Sequence, residues 1–201
     1  MQLCFGQNNC NDSVPNWGES LGVVSFKTHQ TWIVGNQEWS DVVMATACQK
    51  ETFNGGYDIN INADCRSTSD FGDLFSWCAV YRFKEQICPN DWRVPTKEDF
   101  INLDKFFGGN GELRDINRKT LTKYINDFLE RQYGFTMCYS SGELIKSLEQ
   151  WAYWSLTDFN SKVGYGLFVQ SSRFLGHSDW INPSQAFEKH AGLGVRCVRD
   201  K

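Results

Sequence analysis

The stretch from Gly22 to Ala45, GVVSFKTHQTWIVGNQEWSDVVMA, alternates apolar and polar residues in two short runs around Gly35-Asn36. A period of two broken by a glycine-asparagine pair predicts two strands joined by a turn. A different period appears later. Phe100, Leu103, Phe106 and Phe107 fall at helical spacing, with Gly108-Gly109 ending the run. Thr96 stands before them as an N-cap, and Asp99, three positions on, as its reciprocal partner. A second helix is predicted from about Arg118. Leu121, Tyr124, Ile125, Phe128 and Leu129 share one face there, and Gly134 follows as a stop. LFSWCAVYRF (74–83) is apolar enough for core, as helix or strand. FNGGYDININADCRSTSDFGD (53–73) is rich in Asn, Asp, Gly and Ser and is expected to be a long loop pinned at Cys65. YWSLT, GYGLFVQSS and GLGVRCVRD read as short strands between turns. Strands, two helices, then strands and long loops make an α+β domain over residues 21–201, preceded by a polar lead-in at 1–20.

One segment resists this reading. From Trp154, WSLTDFNSKVGYGLFVQSSRFLGHSDWINPSQAF carries seven aromatics among small polar residues, with no period. A core shows a period, and a disordered tail lacks such aromatics. The pattern points to a binding face held on a rigid frame. Phe159, Phe174 and Trp180 are candidate aromatic anchors, stiff side chains that give contact area at low entropic cost. Arg173, His177, Asp179 and Asn182 are candidate polar contacts, and Thr157, Gln170, Phe187 and His190 supplement them. Two of these have plain alternatives. His177 also suits a loop hydrogen-bonder, and Asn182, before Pro183, also suits a turn.

Composition sharpens the picture in two ways. A net charge of −4 offers no electrostatic basis for nucleic-acid binding. Eight cysteines, at 4, 10, 48, 65, 78, 88, 138 and 197, are dispersed with no C-x-x-C pair. That spacing disfavours zinc ribbons and thioredoxin-like sites and favours disulfides, hence an extracellular or cell-surface life. MQLCFGQNNC lacks the basic start and apolar stretch of a signal peptide, so export implies a leader beyond this sequence. No segment reaches the apolar length of a membrane helix. With three histidines (29, 177 and 190), the residues assemble no thiolate–base pair or metal set, so neither an enzyme nor a cofactor is expected.

Three of these segments together carry a family resemblance. CPNDWRVPTKEDFINL, YWSLT and GLGVRCVRD resemble the signature motifs of the Fibrobacter succinogenes major paralogous domain, over roughly residues 20 to 200. The resemblance implies a C-type-lectin-like fold, the broad fold that also houses formylglycine-generating oxidases. WSDVVMATACQKETFNGG, NADCRS and GDLFSWCAVY are similar to a subgroup from gut bacteria and their phages. Its members are variable proteins of diversity-generating retroelements, in which a reverse transcriptase miscopies adenines into the end of the gene. Such proteins are phage receptor-binding tips or bacterial surface and pilus-tip adhesins. The resemblance therefore implies a non-enzymatic module whose partner is a protein or glycan on another cell or host surface. It also implies scaffold roles for Trp92, Trp154 and Arg196, with Trp92 in the core beneath the loops and Arg196 paired with a loop carboxylate. It further implies a disulfide between Cys88 and Cys197, which belong to its two best-matched motifs. Cys48, Cys65, Cys78 and Cys138 remain further partners of open pairing. The chain departs from the pattern at Leu193, where the family usually has Phe, and in the longer stretch from Arg173 to Trp180. A fixed-specificity lectin-like module, with a cation held by GGYDININADCRSTSD, and an oxidase of the formylglycine-generating type are the alternatives.

Overall fold

The computed structural model describes residues 21–46, 49–50, 65–68, 72–129, 135–137, 144–146, 150–171, 178–189 and 191–201. The chain runs β1 (Val24–Phe26), β2 (Thr31–Val34), β3 (Gln37–Ala45), β4 (Gln49–Lys50), β5 (Cys65–Thr68), β6 (Gly72–Phe75), α1 (Trp77–Arg82) and α2 (Lys97–Phe106). It continues with β7 (Arg114–Ile116), α3 (Arg118–Tyr124) with a π-helical turn at Ile125–Leu129, β8 (Phe135–Met137), β9 (Leu144–Lys146), β10 (Gln150–Asp158), β11 (Val163–Gln170), β12 (Asp179–Glu188) and β13 (Arg196–Asp200). The described residues form a mostly β fold with few helices, and all strand pairs are antiparallel except β4–β5.

Local sequence explains most of these elements. The predicted hairpin is β2–β3, in register from Thr31↔Ser40 to Val34↔Gln37. Gly35 takes a φ of 62° at its turn, which glycine adopts without the Cβ penalty. Thr96 and Asp99 form a full capping box on α2, each side chain accepting from the other's backbone N–H. Asn117 caps α3 by accepting from the Thr120 N–H.

The structure corrects the expected element list at four places. A third helix, α1, follows Ser76, whose hydroxyl accepts from the Ala79 N–H; this cap turns the apolar run from strand to helix at Trp77. The expected long loop contains β5, paired with β6. The second helix passes into a π turn at Ile125, although Leu121, Tyr124, Phe128 and Leu129 are buried as the pattern implied. Most consequentially, the segment without a period contains, besides the expected strand β11, the ten-residue β12. Its period was hidden because apolar Trp180 and Ile181 face opposite sides and a register shift between Asn182 and Gln185 interrupts the alternation.

The sheet β10–β11–β12–β7 is the centre of the molecule. Trp151, Tyr153, Leu167, Val169 and Ile181 point to one core, with Trp39, Phe100, Leu121, Tyr124 and Phe128. Ala152, Trp154, Phe168 and Phe187 point to the other, with Phe75, Trp77, Val94 and Cys197. On β10 and β11 alternate residues thus serve alternate cores, and on β12 a register shift lets Ile181 and Phe187, six positions apart, face opposite cores. The final segment stitches the layers together. Leu193 exchanges backbone hydrogen bonds with Phe75, the Gly194 carbonyl accepts from the Trp154 N–H, and the Val195 carbonyl accepts from the Val43 N–H.

Candidate ligand-binding site

The frame around the segment is set by packing. Trp154 is fully buried, and its Nε1–H donates to the Phe75 carbonyl at 2.7 Å. Cys88 and Cys197 form a disulfide across 109 residues, tying the approach to α2 to the last strand, as the resemblance implied. Cys78 is also disulfide-bonded. Asp99 takes a bidentate pair from Arg93 at 2.6 and 3.0 Å, with further donors from Thr96 and Gln37. Burial pushes the Asp99 carboxyl up, but the hydrogen bonds from Arg93, Thr96 and Gln37 outweigh it and hold its pKa at about 2.

Two scaffold expectations need correction. Trp92 is only half-buried, at the core's margin, edge-on to Phe26 at 5.3 Å with the Arg199 guanidinium 4.6 Å above its ring. Among the described residues Arg196 meets no loop carboxylate. It is buried inside the sheet layer, where it donates to the Ser40 carbonyl at 3.1 Å and faces Asp41 of β3 at 3.9 Å. Trp32, Phe128 and Tyr153 surround its guanidinium at 4.7, 4.8 and 5.1 Å, so cation–π contact offsets part of its desolvation.

The candidate residues separate into two groups. Asp158 pairs with Gly164 at one end of β10–β11, and Gln150 pairs with Gln170 at the other. Seven strand steps between Val163 and Gln170 span about 23 Å. At the first end, Phe159 is 54% exposed and lies edge-on to Tyr165 at 5.2 Å. Lys97 Nζ sits 4.4 Å from the Tyr165 ring centre. Thr157 is half-buried, and its hydroxyl accepts from the Lys97 N–H at 2.9 Å, completing the first turn of α2. Phe187 is buried against Trp154 at 5.7 Å; its ring belongs to the core and not to an outward face.

At the second end, Gln170 lies between Gln150 and Trp180 in the strand register. All three are half-buried, in line with Ala152, Phe168 and Asn182 one row further in. The Gln150 and Gln170 amides meet at 3.5 Å. Trp180 tilts against Phe168 at 4.7 Å. Asn182 accepts from the Ser184 N–H and donates to Gln185, but it lies within β12, paired with Phe168 beside a register shift, and not in a turn between elements. Asp179 is buried and paired with Arg118 at 3.3 Å. Arg173, Phe174, His177 and His190 lie outside the described residues.

Gln150 and Arg118 were missed in the sequence. Both lie outside the segment, and Arg118 is 53 residues from its contact Ser171. Glycines 164 and 166 were also missed as frame. A Cβ on Gly164 would come within 2.5 Å of the Trp77 ring, and one on Gly166 within 2.5 Å of the Tyr153 carbonyl.

This is a two-core β domain in which the cross-strand row of two amides and an indole, Gln150–Gln170–Trp180, is half-buried. The Fibrobacter succinogenes major domain family model matches residues 28–199, and the chain belongs to that family. No curated protein and no solved structure matches it.

Proposed function

We propose that this chain is a non-enzymatic ligand-binding domain with a C-type-lectin-like fold, the receptor-binding part of a surface adhesin or phage tip. Its segment from Leu156 to His190 is the product of a diversity-generating retroelement. The observation that carries this reading is the half-buried row Gln150–Gln170–Trp180 at the end of a sheet whose middle is packed between two cores. Amides and an indole on stiff strands are recognition chemistry. The amides adapt their hydrogen bonds, and the indole adds apolar contact at small entropic cost. Backbone positions there are fixed by strand pairing, so side chains can change without rebuilding the frame. With Phe159 about 23 Å away, an occupant touching both ends is a macromolecule: a protein or an extended glycan on a cell surface.

The test is binding of labelled protein to printed glycans and to intact bacterial cells, wild type against Trp180→Ala, Gln170→Ala and Phe159→Ala. Loss of binding by tenfold or more in Trp180→Ala, with the melting temperature nearly unchanged, supports the reading. Wild-type binding by all three variants contradicts it.

A further inference from the structure

Arg118 is the first residue of α3, two positions past Ile116, which pairs with Asp179 in the sheet. Its Nη2 meets Asp179 Oδ1 at 3.3 Å, and its Nη1 donates to Ser171 Oγ at 3.1 Å. Ser171 directly follows β11 and Asp179 opens β12, so one guanidinium joins the facing ends of two strands. Both partners are buried, at 4% and 6% exposure, whereas the Arg118 side chain is 47% exposed. A planar fork can make two directed contacts at once, which a lysine ammonium on a flexible stem does less well. The mount is stiff, since β7 is paired to β12 and Asn117 caps α3.

We propose that Arg118 is a positioning residue of the binding face. It pins the ends of β11 and β12 and thereby fixes Gln170 and Trp180, while lying outside the segment that varies. This rests on the reading of that row as a recognition surface. The partners of Arg118, Ser171 and Asp179, then belong with the frame inside that segment, because side chains that change cannot also hold the strand ends.

The experiment is hydrogen exchange on the intact chain, comparing wild type with Arg118→Ala, Arg118→Lys and Asp179→Asn. Binding to cells selected with the labelled wild-type protein is measured alongside. Expected for Arg118→Ala is exchange about tenfold faster in peptides covering 168–171 and 179–181 and unchanged at 159–163. Affinity is expected to fall at least fivefold while the melting temperature stays within about 2 °C, with Arg118→Lys intermediate. Unchanged exchange at 168–171 and 179–181 overturns the proposal. So does faster exchange with wild-type affinity when Trp180→Ala abolishes binding, an outcome that leaves the recognition surface standing. Wild-type affinity in both Arg118→Ala and Trp180→Ala overturns the recognition surface itself and the positioning role with it. Arg118→Ala that fails to fold is decided by Asp179→Asn, which removes the charge partner but keeps the shape.

Discussion

The motif from Cys88 to Asp99 and the segment from Trp154 to Phe187 are built by opposite rules. In the motif the key side chains have fixed partners: Cys88 bonds Cys197, Arg93 clasps Asp99, and Thr96 and Asp99 together cap α2. In the segment, fixed and open positions interleave. Gly164, Leu167, Val169, Ile181 and Phe187 are locked between two cores, while Phe159, Gln170 and Trp180 lie at the sheet's ends with part of their surface free. A sequence can therefore look irregular over strands, here β11 and β12, whose residues are packed into two cores.

Breaking the motif should cost most. Replacing Cys88 and Cys197 by Ala opens a cross-link between residues 109 apart. The loop-entropy relation gives a loss of about 4–5 kcal/mol, read as a fall in the urea midpoint. Within the segment, Gly164→Ala should behave as a core substitution despite its place among variable-looking residues. The Trp77 ring must move, at a cost of about 1–3 kcal/mol, which chemical denaturation reads directly.

Acid offers a finer cut. The folded pKa of Asp99, about 2, lies below its ordinary 3.8. Its stabilisation is therefore present above pH 4 and is lost as the pH falls through 2. Asp99→Asn should flatten the stability profile between pH 5 and 2 by about 1–2 kcal/mol. An unchanged profile removes the clasp as a source of acid sensitivity. The smallest effects belong to the segment's ends. Phe159→Ala and Gln170→Ala should each change stability by less than about 0.5 kcal/mol, since neither removes core packing. A loss above about 2 kcal/mol in either would make it frame.

Much of the frame was legible in the sequence because its signals are local. The Gly35 turn, the Thr96–Asp99 box and the faces of α2 and α3, apart from the exposed Phe106, depend on residues within a few positions of one another. The disulfide came through family motifs, since no spacing rule joins Cys88 to Cys197. What was not legible depended on distant contacts. β12 shows no clean alternation because Trp180 and Asn182 stand in line with core residues while the other face packs Ile181. Phe187 looked like a ligand contact because its neighbours in sequence are polar, although Trp154 and Phe168 are its neighbours in space. Arg196 could not be paired correctly without knowing that β13 lies beside β3.

The central claim is that one stretch carries both an invariant frame and a diversified surface. The most direct measurement is deep sequencing of this gene across a population of its source. The account predicts substitutions confined between about Leu156 and His190, at adenine-templated codons. They should fall on positions such as Phe159, Gln170 and Trp180 and spare Gly164, Gly166, Leu167, Ile181 and Arg118. Variation spread evenly along the chain, or striking the two cores as often as the sheet's ends, would contradict it.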